Sequence, residues 1–156
     1  MNTITDIAAY FCENYPHQSE LSKARLTKLV YLADWESAKI NGKQLTAIRW
    51  YFHNFGPYVD DVIDEVKADT RFKMIDSVNF YGDKKTTVGL SSPLSRKIAL
   101  PDADKAILEK VISDTRAMYW NDFIKHVYAT KPVANSVRYT YLDLVATARH
   151  TSQKVS

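Results

Sequence analysis

Leu26-Thr27-Lys28-Leu29-Val30-Tyr31-Leu32-Ala33-Asp34-Trp35-Glu36-Ser37-Ala38-Lys39-Ile40-Asn41-Gly42 is the stretch that decides the architecture of this 156-residue chain. Leu26, Leu29, Val30, Ala33, Ser37 and Ile40 recur at spacings of three and four, one core-facing row of a helix. The pattern predicts that helix from about Glu20 to Ile40, capped by Ser19 or Ser22. Asn41-Gly42 stops it, because glycine enters the left-handed region at little cost. A second row on the same helix, Lys28, Tyr31 and Trp35, is aromatic and partly charged. A helix rich on two faces either sits between two layers or presents one face to a partner.

Helical signals continue on both sides. Ile4, Ile7, Ala8 and Phe11 form one stripe, opened by a Thr3–Asp6 capping box and closed before Pro16. Val59, Val62, Ile63 and Val66 repeat the spacing after Gly56-Pro57, with Pro57 expected in the first turn and Asp60 and Asp61 at the positive helix end. Residues 72–81 and 84–90 are β-branched and aromatic runs flanking Gly82-Asp83, a two-residue hairpin signal. A hairpin alone is marginal in water, so this one must lean on the helices. Pro101-Asp102 opens a fourth helix with Leu108, Val111, Ile112, Thr115 and Tyr119 on its stripe. A short helix carries Phe123, Ile124, Val127 and Tyr128 and ends at Lys131-Pro132. A last one begins near Thr140, with Asp143 in the box position and Tyr141, Leu144, Val145 and Ala148 inward. The reading is a mainly α, single-domain bundle of about five to six helices spanning residues 1–150, with one packed β-hairpin at about 72–90 and a frayed polar tail at 151–156.

Composition narrows the class. Apolar residues make up 46% and charged residues 25%, the balance of a globular domain large enough to bury a core. No apolar run is long enough for a membrane span, and the first residues lack the basic start and apolar stretch of a signal peptide, so a cytoplasmic protein is expected. The net charge of +3 is too small to argue for nucleic acid. Its distribution is uneven: residues 50–70 carry Asp60, Asp61, Asp64, Glu65 and Asp69 against Lys67 alone. Residues 71–100 reverse the sign through Arg71, Lys73, Lys84, Lys85, Arg96 and Lys97. Solvated faces of adjacent elements explain both patches, and such patches can also steer a partner.

Catalytic, cofactor and metal signals are missing. His17, His53, His126 and His150 share no ligand spacing, and four glycines form neither phosphate-binding motif. Cys12, the lone cysteine, sits beside an apolar stripe and reads as a buried structural thiol. What stands out is Trp50-Tyr51-Phe52-His53-Asn54-Phe55-Gly56-Pro57-Tyr58, where aromatics are dense enough both to plug a core and to supply contact surface.

Leu26 to Asp34, followed after a spacer by Trp50 and an aromatic-rich approach to Gly56-Pro57, resembles the Panacea domain, the family of SocA-like antitoxins and GepA-type phage-associated proteins. Lys28, Leu29, Tyr31, Gly56 and Pro57 match its recurring pattern, while Tyr58 stands where the family often has Val. The resemblance implies a cytoplasmic antitoxin, without cofactor or catalytic residues, that neutralises a co-encoded protein toxin by direct contact. Family toxins include alarmone-synthetase-like enzymes that block translation. SocA-like members act instead as adaptors that hand the toxin to a protease, and some relatives carry a DNA-binding module for which this chain leaves no room. The expected toxin contacts are Lys28, Tyr31 and Trp35 on one helix face, Trp50, Phe55 and Tyr58 from the aromatic segment, and Asp60 and Asp64 from the acidic helix. Two rival expectations are a regulator binding nucleic acid through the basic hairpin and an enzyme assembled around His53 and Asp34.

Overall fold

In the computed structural model, which describes residues 3–78 and 80–155, helix α2 (Lys23–Asn41) is the element about which the others are placed. Every residue from Arg25 to Trp35 is buried. Of the two dispositions open to such a helix, it therefore takes the one between layers. Ser22 Oγ accepts from Arg25 N–H at 3.1 Å, and Gly42 ends the helix at φ 71°. Ile40, expected in the core row, is exposed, because the packed part of the helix ends at Ala38.

Helix α1 (Ile4–Asn14) starts where Thr3 Oγ1 accepts from Asp6 N–H at 3.2 Å. It packs on α2, α3 (Asp61–Lys67) and α4 (Asp102–Thr115). Beyond α4 come α5 (Trp120–Tyr128), the single turn α6 (Lys131–Ala134) and α7 (Leu144–Val155), whose first turn Asp143 caps by accepting from Ala146 N–H at 3.0 Å. Of the tail expected to fray at 151–156, residues 151–155 continue this helix, and Ser156 lies outside the described residues. The mainly α architecture agrees with the periodicity, and no helix among the described residues is long and apolar enough to cross a membrane.

Two small antiparallel hairpins complete the fold. The expected one pairs β3 (Phe72–Val78) with β4 (Lys84–Leu90), and it leans on the helices through Val88 N–H donating to Leu21 O at 2.8 Å. Its connection is longer than the two residues expected, running from residue 79 to 83 with Gly82 at φ 84°; Asn79 lies outside the described residues. Phe80 and Tyr81, the end of the run expected to form the first strand, are exposed at its tip.

The other hairpin was not expected. Strands β1 (Tyr51–His53) and β2 (Gly56–Tyr58) pair Tyr51 with Tyr58 and His53 with Gly56. Pro57 is therefore a buried strand residue opposite Phe52, not the first turn of α3. Residues 139–142 run along the free edge of β1: Phe52 N–H donates to Thr140 O at 2.9 Å and Leu142 N–H to Trp50 O at 2.8 Å. Tyr141, expected inward on the last helix, is held there at the surface, and Tyr119 likewise leaves the α4 stripe for an exposed position before α5.

Tyr31 and Trp50 are fully buried and meet edge to face, with ring centroids 5.5 Å apart. Trp35 is also buried, with Lys39 Nζ 5.3 Å from its ring. These three side chains offer no surface to a partner, which corrects their expected placement on a contact face. Tyr31→Ala is expected to cost about 3–5 kcal/mol in chemical denaturation. An unchanged midpoint would put that ring at the surface instead.

Candidate partner-binding cleft

The site begins with a buried carboxylate. Asp34 accepts from Thr46 N–H and Trp50 Nε1–H, both at 2.9 Å, from the Thr46 hydroxyl, and from Gln44 Nε2 at 3.4 Å. Burial raises its pKa to about 6 against the opposing pull of those hydrogen bonds. The effect is to fasten residues 44–50 onto α2, so that β1 leaves Trp50 in a fixed direction. Gly56 then turns the chain into β2 at φ 99°, a conformation that L side chains rarely adopt. A Cβ there would also sit 3.3 Å from the Tyr128 ring, so glycine is required both by the turn and by the approach of α5.

Between this hairpin, α2 and α5 lies a cleft of about 500 Å³. Its walls are mostly apolar, formed by Phe55, Tyr58, Trp120, Ile124 and Tyr128, and Lys28 of α2 lies within it. Lys28 is only 2% exposed, and among the described residues it has no hydrogen bond and no ion pair. Its Nζ lies over the Tyr58 ring, 5.8 Å from the centroid. Desolvation accordingly lowers the Lys28 pKa to about 8. One turn earlier, Arg25 is also buried without a carboxylate. It donates to Tyr15 Oη and Met118 O, each at 3.2 Å, and lies 5.9 Å from the Trp120 ring.

The mouth is aromatic. Phe55 is 79% exposed, and Trp120, Tyr139 and Tyr141 are exposed around it. Tyr139, at φ 70°, donates to Asn54 Oδ1, and Arg138 Nε donates to Asn54 O at 3.2 Å. His53 Nδ1 accepts from Asn54 N–H at 2.9 Å.

Of the residues expected at a contact face, the structure brings Lys28, Phe55 and Tyr58 to the cleft. Asp60 and Asp64 are exposed nearby on α3 and its cap, and together with burial they hold the Tyr58 phenol above its ordinary value. Tyr31, Trp35 and Trp50 form the support behind it. Sequence reading missed Arg25, Trp120, Tyr139 and Tyr141. The clustered aromatics at 119–120 and 139–141 were the available signal. The Cys12 thiol is buried, as expected, and pushed up to about 12. Asp34 does not line the cleft that holds His53, so the pair expected in an enzyme reading is not joined there. Among the described residues no cluster of His, Cys, Asp and Glu could hold a metal.

A buried cation without a partner opposes folding wherever it is charged. Between its folded pKa near 8 and the unfolded value near 10.5, the unfolded chain binds more protons, so stability rises with pH across that window. Lys28→Met is therefore expected to raise the melting temperature at pH 7, and the gain is expected to shrink towards pH 10. An equal shift at both pH values would contradict the burial of this ammonium.

The family model described as Antitoxin SocA-like, Panacea domain matches residues 26–132, from the first buried turns of α2 to α6. No curated protein and no solved structure matches the chain. The matched span holds Lys28, the β1–β2 hairpin with Gly56-Pro57, and α5, the parts that enclose the cleft. It covers more than half of the chain, and the protein belongs to the SocA-like antitoxin family with a Panacea domain.

Proposed function

We propose that this protein is the antitoxin of a toxin–antitoxin pair and neutralises its toxin by direct contact through the aromatic face around the Lys28 cleft. The observation that carries the reading is the pair of exposed aromatics, Phe55 and Trp120, lining that cleft, with exposed Tyr139 bonded to Asn54 at its edge, in a chain of an antitoxin family. Large aromatics on a rigid scaffold supply much contact area with little rotamer entropy to lose, and a few such anchors dominate most interfaces. Phe55 is set on a hairpin fastened to the core, and Tyr139 on the segment bonded to the edge of that hairpin, so the face is formed before any partner arrives. Asp60 and Asp64 stand beside this face and are assigned to steering a basic surface of the toxin. Family membership favours a regulatory role over a catalytic one.

The test is co-expression with the product of the adjacent gene, followed by purification of the complex. Restored growth and a stable complex are expected. Phe55→Ala combined with Trp120→Ala should weaken that complex roughly a hundredfold or more while the melting temperature changes little. Asp60→Lys with Asp64→Lys should slow association. Rescue without a stable complex would replace direct occlusion by delivery to a protease, and a neighbour harmless on its own would remove the toxin reading.

A further inference from the structure

A lysine held 98% out of solvent without an anion is costly, and the fold keeps one in a mostly apolar cleft. Nothing in the hydrogen bonding of α2 requires Lys28 to be charged, and no described residue neutralises it. The surroundings reinforce the imbalance. Arg25, three residues earlier, is buried without a carboxylate and borders the Trp120 wall.

We propose that the cleft is the receptor for an anchor of the toxin that pairs a carboxylate with an apolar body, an acidic residue beside a large aromatic or aliphatic one. The inference rests on the toxin reading above and adds the chemistry of the partner. The anchor's carboxylate meets the Lys28 ammonium in a site from which water is displaced, where an ion pair is far stronger than at an exposed surface. Its apolar body fills the space between Phe55, Tyr58, Trp120 and Tyr128. The cleft volume of about 500 Å³ is large enough for an aromatic side chain with its acidic neighbour. An apolar anchor alone would leave the ammonium buried deeper and still unpaired. A carboxylate alone would leave the aromatic walls wet. Only the combination satisfies both features of the site.

The experiment uses 4-phenylbutyrate as the probe and 4-phenylbutan-1-ol as its neutral counterpart, each titrated into the full chain at pH 7 and followed by amide NMR. The acid is expected to bind about tenfold or more tightly than the alcohol, with shifts centred on residues 53–58 and 120–128. Lys28→Met should abolish that preference. The acid, and not the alcohol, should also displace the co-expressed toxin from its complex with the unaltered chain, a measurement that does not depend on how the variant folds. Equal binding of acid and alcohol would overturn the inference. So would a preference that survives Lys28→Met, or a toxin complex indifferent to saturating acid; each leaves the toxin reading standing. Failure of the unaltered chain to form any complex with a toxin would overturn that reading, and the anchor with it, even where the acid binds.

Discussion

The Asp34 carboxylate is the constraint on which the functional face depends. It lies wholly inside the protein on the most buried helix, and its charge is stabilised by donors on the segment that follows that helix. Hydrogen bonds to a charged acceptor contribute about 1.5–3 kcal/mol each, enough together to offset a substantial desolvation cost. Their geometric result matters more than their sum. Trp50 is fixed at the start of β1 by its indole N–H, Tyr31 packs edge-on against it, and the hairpin that follows has one direction in which to leave the core.

From that hairpin the rest of the face follows by packing. Gly56 permits the turn and the approach of Tyr128, and Phe52 and Pro57 seal the inner side. The 139–142 segment completes the edge of β1, which places Tyr139 at the surface against Asn54 and Tyr141 against Tyr51. The outcome is a cleft with exposed aromatics in its wall that holds an unpaired lysine. The matched family pattern acquires a physical meaning: Tyr31 and Leu29 are core, Gly56 and Pro57 shape the hairpin, and Lys28 lines the cleft.

The helices were legible because their signals are local. Thr3 with Asp6, and Ser22 with Gly42, mark their boundaries by hydrogen bonds and dihedrals confined to one turn. The first hairpin was not, because its strands are three residues long, its aromatics do not alternate, and its edge partner lies more than eighty residues away at Thr140. The same distance effect misplaced the site residues. Lys28, Tyr31 and Trp35 form a recognisable row, but whether a row faces a partner or a second layer is set by α4, α7 and β2, which the row itself does not specify. Lys28 was thus read as exposed when it is buried at the cleft, and Trp50 was read as surface when its N–H is committed to Asp34.

The two hairpins offer the partner different ground, since the tip of β3–β4 also exposes Phe80 and Tyr81. Amide hydrogen exchange of the free chain against its toxin complex separates them most directly. Protection confined to residues 51–58, 119–128 and 137–141 is the result this account predicts. Protection centred on residues 72–90, with the cleft region exchanging as in the free chain, would contradict it.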